Sequence, residues 1–212
     1  YIPGEATRTE IWFVRKPDSI GRSYDGTTDG SMVSFGTPQF TDGTNTFELT
    51  EGTDFTAKKT FDSADAGRHT VTVEIELIGD AAAKYKLKAG QETFTIGGYI
   101  DKAHPDLTVS LSRTTCAVGE KLLPLLSVSG VQENAAVTYY YAPINSGYLE
   151  FEGSEAVPAI NENTAISDPG TYYVYAKTAE TKNYEEDRSA TVELTVNEAC
   201  LLYTSPSPRD CS

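Results

Sequence analysis

The stretch His69-Thr-Val71-Thr-Val73-Glu-Ile75-Glu-Leu77 alternates strictly, with His, Val, Val, Ile and Leu on one side and Thr, Thr, Glu and Glu on the other. A repeat of two residues is that of a β-strand, whose successive side chains point to opposite faces, so this segment is a half-buried strand with one wet face. Further strands are expected at Glu10–Arg15, Ser31–Phe35, Thr46–Leu49, Asp54–Ala57, Tyr85–Leu87 and Thr93–Ile96, between Gly, Asp, Asn and Pro clusters that favour turns. The second half supplies Leu107–Leu111, Ser127–Ser129, Ala136–Tyr141, Leu149–Glu152, Thr171–Lys177 and Thr191–Val196. No long stretch has clean 3.6-residue periodicity. The alanine-rich Asp80–Lys84 is a weak helical candidate that suits a loop equally well. The fold class read from this pattern is all-β.

The pattern also occurs twice. Asp65-Ala-Gly67-Arg-His69-Thr-Val71 aligns with Asp168-Pro-Gly170-Thr-Tyr172-Tyr-Val174 at an offset of 103 residues, Tyr85 with Tyr184 at 99, and Phe94-Thr-Ile96 with Leu194-Thr-Val196 at 100. Nearly constant spacing predicts two tandem domains of about 100 residues, the size of an immunoglobulin-like β-sandwich. In each Asp-x-Gly the Asp side chain caps a tight turn and the Gly takes a backbone conformation that a Cβ resists. The boundary is expected near Lys102-Ala103-His104-Pro105, giving domains over 8–103 and 104–199, with residues 1–7 as the end of a preceding segment. The chain opens on Tyr1 without a targeting signal and reads as a piece of something longer. Cys200-Leu-Leu-Tyr-Thr-Ser-Pro-Ser-Pro-Arg-Asp210 resembles the in-frame translation of a sequencing-library adapter, so 200–212 is read as a non-native tail outside the fold.

Charge narrows the partners. With 31 acidic against 17 basic residues, the net charge of −14 argues against nucleic acid, and no apolar run approaches the roughly 18–20 residues needed to span a bilayer. Residues 8–103 carry 11 basic and 15 acidic groups, and residues 104–199 carry 5 and 14. Outside the tail one cysteine remains, Cys116; no Cys/His spacing suggests zinc, and because it lies between a strand and a turn with no neighbouring base implied it is read as a half-buried structural thiol rather than a nucleophile. His69 is in phase with Val71 and Val73 and is expected to pack in the core, while His104 precedes Pro105 in the linker, so neither supplies the base that a nucleophile requires. Carboxylates are dispersed over turns and outward strand faces, and the expectation is no catalytic residue and no cofactor. Asp25-Gly26, Asp29-Gly30 and Asp42-Gly43 invite a calcium reading that turn chemistry answers equally, and the junction around Asp101 and Asp106 is the other place where an ion would stiffen the chain.

Tyrosine gives the binding candidate. Aligning Val174 with the inward Val71 puts Tyr172 inside and Tyr173 and Tyr175 outside; Tyr139 and Tyr141 go with Val137, and Tyr140 faces the other way. Tyr140, Tyr173 and Tyr175 are therefore the candidate exposed platform for a sugar ring or a partner protein. The alternative is cross-strand aromatic pairing that only stabilises the sheet.

Arg22-Ser-Tyr24-Asp25-Gly26-Thr-Thr-Asp29, with Glu51-Gly-Thr-Asp54-Phe55, Ser63-Ala-Asp65-Ala-Gly67 and Lys84-Tyr85-Lys-Leu87, resembles the YDG-type repeat of bacterial surface proteins and adhesins over residues 8–103. The second half, with Asp168-Pro-Gly170-Thr-Tyr172-Tyr-Val174 and Asn183-Tyr184, is similar to bacterial Ig-like modules. The resemblance implies β-rich extracellular modules in tandem at a bacterial cell surface or wall, non-catalytic, acting as a spacer or stalk in adhesion. Neighbouring repeats and a host or matrix glycan or protein would be the partners. A carbohydrate-binding accessory module of a glycan-degrading enzyme is the alternative. The bulky Glu10-Ile-Trp-Phe-Val14 departs from the pattern and leaves open whether that strand belongs to the first domain.

Overall fold

A computed structural model describes residues 7–145 and 157–199; residues 1–6, the expected strand Leu149–Glu152 and the tail from 200 lie outside the described residues. The chain divides into two compact units, Tyr1–Ala103 and His104–Ser212.

The first unit contains β1 (Thr9–Phe13), β2 (Ser19–Ser23), β3 (Gln39–Thr41), β4 (Thr46–Glu48), β5 (Phe55–Phe61), β6 (Gly67–Leu77), the short helix α1 (Gly79–Lys84), β7 (Tyr85–Leu87) and β8 (Thr93–Asp101). They form two four-stranded sheets, ordered β4-β3-β1-β7 and β2-β8-β6-β5. Alternation along β6 buries Val71, Val73 and Ile75 and leaves Thr70, Thr72, Glu74 and Glu76 in water. The buried row meets Ile11, Phe13 and Phe40 of the other sheet in one shared core. Phe13 anchors it, with ring centroids 4.2 Å from Phe40 and 5.7 Å from Phe94. Each such side chain contributes about 1.5–3 kcal/mol by leaving water, so the two layers hold together as a sandwich. β1 pairs with both β3 and β7, which places Glu10-Ile-Trp-Phe inside this unit and settles the question its bulk raised.

The expected strand Ser31–Phe35 is absent, and the segment is a turn and loop. Its backbone is claimed locally: the Asp29 carboxylate accepts the Ser31 N–H at 2.9 Å, and Val33 N–H bonds Gly30 O at 3.1 Å. Side-chain acceptors of this kind offer the backbone an alternative to a ladder. β2 and β3, which sequence periodicity does not mark, take the pairing instead.

The second unit contains β9 (Thr108–Leu111), β10 (Thr115–Ala117), a 3-10 turn (Leu123–Leu125), β11 (Leu126–Ser129), β12 (Val137–Pro143), β13 (Ala159–Ile160), β14 (Gly170–Thr178), β15 (Asp187–Arg188) and β16 (Val192–Asn197). The larger sheet runs β10-β16-β14-β12-β13 with β15 beside β14, and β9 pairs with β11 in a second layer. Cys116, Leu122, Tyr172, Val174 and Leu194 fill one part of its core, and Leu107, Val109 and Ala176 another. The chain is thus all-β, two β-sandwich units in tandem.

In both units the last strand runs parallel to a strand from the N-terminal segment. Ser19–Ser23 of β2 pairs in parallel with Gly97–Asp101 of β8, and Thr115–Ala117 of β10 with Thr195–Asn197 of β16.

Candidate functional site

The alternation read from the tyrosines is the one observed, and the exposure assigned to Tyr175 is not. Tyr140 and Tyr175 are cross-strand partners on the face opposite Val174, yet Tyr175 is fully buried. Tyr140 stacks on it at 5.4 Å between ring centroids and 21° between planes, and the Arg188 guanidinium lies over the Tyr175 ring at 4.1 Å. Ala142 and Val157 complete this third apolar cluster of the unit. Tyr140 and Tyr173 are half-buried. The expected platform of Tyr140, Tyr173 and Tyr175 is therefore corrected at Tyr175, whose ring is enclosed by Tyr140, Val157 and the Arg188 side chain on the sheet face that strand alternation alone marks as wet, while Tyr140 and Tyr173 keep part of their surface exposed. Burial on both faces is what the uninterrupted Val174-Tyr-Ala176 run reflects.

The repeated Asp-x-Gly sites fold alike. Gly67 and Gly170 adopt φ of +129° and +154°, and the aromatic residue two positions later turns back to the Asp main chain. In the second unit the Tyr172 hydroxyl donates to the Asp168 carbonyl at 2.9 Å. In the first, His69 Nε2 lies 2.6 Å from the Asp65 carbonyl oxygen and Nδ1 lies 2.8 Å from the Asp62 carboxylate. This is the tyrosine corner of β-sandwiches, with His in the tyrosine's place in one copy. Tyr172→Phe is expected to cost the second unit about 1 kcal/mol through the lost hydrogen bond, read as a lowered urea midpoint by circular dichroism. An unchanged midpoint would show the corner to be ornamental.

Contacts at both ring nitrogens hold the His69 side chain, 11% exposed, in this corner. His104 Nε2 pairs with Asp187 at 3.3 Å, whose other carboxylate oxygen accepts the Leu107 N–H at 2.7 Å. Cys116 is buried, and burial pushes its thiol up, away from the reactive thiolate.

The Asp-Gly carboxylates serve as turn acceptors. Asp25, beside the half-buried Tyr24 and followed by Gly26 at φ +78°, accepts the Thr27 N–H and hydroxyl, each at 2.8 Å, and pairs with Arg22. Asp42 accepts the N–H groups of Thr44 and Asn45 at 2.8 and 2.7 Å. Among the described residues no group of three or more His, Cys, Asp or Glu is placed to hold a metal. Asp25, Asp29, Asp42 and Asp62 all sit below the ordinary carboxyl range, held there chiefly by hydrogen bonds from Thr27, Ser31, Asn45 and Thr70 respectively. A carboxyl depressed in the folded state adds stability above its unfolded value and loses it as pH falls through the folded one. The first unit, which holds all four, is expected to unfold at lower urea at about pH 3 than at about pH 6, followed by fluorescence of Trp12, the sole tryptophan. A midpoint that rises on acidification contradicts this.

One group escapes the sequence reading. Lys59 is fully buried, with Nζ 2.6 Å from Glu51 Oε1, 3.3 Å from the Ala57 carbonyl and 4.4 Å from the centre of the Phe35 ring. Glu51 Oε2 also accepts the Phe35 N–H at 2.6 Å. A signal for it exists in the sequence: Lys59 is in phase with Phe55, Ala57 and Phe61, the buried side of β5.

No protein-family profile and no curated protein matches the chain. Among solved structures it is similar to mouse cadherin-23 EC22-24, at 13% identity and TM-score 0.28, covering 90% of this chain and 67% of that one. It is also similar to Drosophila N-cadherin EC1-4, at 7% identity and TM-score 0.24, covering 89% of this chain and 50% of that one. Neither likeness is strong enough to argue from, and the class stands on the two sandwiches themselves: a tandem all-β chain with a repeated Asp-x-Gly corner. No helix among the described residues is long and apolar enough to cross a membrane.

Proposed function

We propose that the chain is a non-catalytic, load-bearing spacer from an extracellular surface protein of the bacterial adhesin type, a reading that its YDG-type and Ig-like resemblances support. The observation that carries it is the parallel pairing of the last strand with an N-terminal strand in both units. Tension on the two ends of a unit pulls such strands along their lengths in opposite directions, so their hydrogen bonds are loaded together. A hairpin pulled apart at its open end loses them one by one. Five residue pairs close the first unit in this way and three close the second. Single-molecule stretching of the full chain is expected to give two separate unfolding events, the weaker from the second unit. A gradual extension without force peaks would overturn the spacer reading.

A further inference from the structure

We propose that the outward face of β2, β8 and β6 around Tyr99 is a binding site for an acidic saccharide, a hexuronate unit whose ring lies on Tyr99 and whose carboxylate meets Arg68. The inference goes beyond the spacer reading and does not rest on it. Tyr99 is 47% exposed, a rare large apolar side chain left in water among the described residues. Its cross-strand neighbours are Gly21 on one side and Arg68 on the other, and Gly97 precedes it on the same face. Together with Ser19 and Gly98 they border an open concavity of about 470 Å³, within the size range of small-ligand sites.

The glycines are the telling part. Gly98, on the inner face, is required by packing, since a Cβ there would sit 2.5 Å from Val71 Cγ2 and 2.7 Å from Phe61 Cε1. Gly21 and Gly97 are not: neither has a left-handed φ, and a Cβ on either would meet its nearest neighbour at an ordinary 3.5 Å. Glycine weakens a strand interior, and where neither backbone nor packing needs it, it marks a place that another molecule approaches closely. Here the missing side chains bare the Tyr99 ring and the backbone beside it. An aromatic face stacks on the C–H side of a sugar ring, and a guanidinium binds a carboxylate through paired, charge-assisted hydrogen bonds. Arg68 is the charged side chain on the face of Tyr99 that borders the concavity, the His69 ring being turned inward to Asp62 and Asp65, and no carboxylate borders it. In a chain with a net charge of −14 that local balance favours an anion over a neutral sugar.

The test is calorimetric titration of the full chain with tetragalacturonate and with its methyl-esterified, uncharged form. Saturable binding of the acid is expected, with the ester at least about tenfold weaker. Tyr99→Ala and Arg68→Ala should each weaken binding by about tenfold. Gly97→Val should abolish binding while keeping or raising the melting temperature, because valine favours strands; should that variant fail to fold, Gly21→Ser makes the same obstruction. Absence of saturable binding, equal affinity for acid and ester, or undiminished binding by a folded glycine variant each overturns the proposal.

Discussion

Glu51→Ala is expected to destabilise the first unit by about 3–5 kcal/mol, because it leaves the Lys59 ammonium buried without its counter-charge. The amine is fully enclosed and the Glu51 side chain is 13% exposed, so water cannot replace the lost partner without opening the unit. Two further bonds go with the carboxylate: Phe35 loses the acceptor of its N–H and Ser34 Oγ loses a partner at 3.3 Å. The loop carrying Phe35 then has less to hold it over Lys59. The double variant Glu51→Leu, Lys59→Met should recover most of the loss, since replacing a buried pair with apolar residues of similar volume is often neutral or stabilising. Urea unfolding followed by Trp12 fluorescence measures both. If Glu51→Ala loses under about 1 kcal/mol, the pair behaves as an exposed one and the burial assigned to Lys59 is wrong.

In the second unit the largest single-methyl effect is expected at Gly130. Its φ is +83°, and a Cβ there would lie 2.4 Å from the Asp106 carbonyl oxygen, 3.0 Å from its carbon and 3.2 Å from Leu107 Cα. These are backbone atoms. They are held in place by the buried Leu107 side chain and by the Leu107 N–H bond to Asp187. Gly130→Ala therefore combines left-handed backbone strain of about 1 kcal/mol with an overpacking cost of about 1–3 kcal/mol. Gly119 supplies the control in the same unit: φ is +80°, and a methyl group placed there would have nothing within 4 Å, so Gly119→Ala should lose only about 1 kcal/mol. Equal losses at the two sites, in urea titrations followed by circular dichroism, would show that contact with Asp106 is irrelevant.

Segments whose alternation is decided by one shared core are legible in the sequence. β6 reads directly because one of its faces is buried in the sandwich and the other is wet, and Tyr85–Leu87 has the bounds its pattern predicts. Ser31–Phe35 misleads because an apolar alternation says nothing about a carboxylate two residues upstream that captures the backbone. α1 is undecidable from its pattern, since six residues are too few to show a helical period. At the candidate site, alternation gives the facing of Tyr140 and Tyr175, and it cannot reveal that the Arg188 side chain and Val157 pack against Tyr175, because that cover comes from elsewhere in the chain. Lys59 is legible by phase and hidden by chemistry: a cation in a core row reads as a break in the pattern until its acid, eight residues earlier, is brought beside it. Tyr99 shows the converse, since its isolation depends on glycines in two different strands.

The position of the closing strands has a consequence for synthesis. β8 is hydrogen-bonded to both β2 and β6, and β16 to both β10 and β14. Until Gly97–Asp101 has left the ribosome the first unit lacks an interior strand of its sheet, and the second waits likewise for Thr195–Asn197. Each unit therefore completes its sandwich only late in its own synthesis, when the closing strand becomes available to the strands already made.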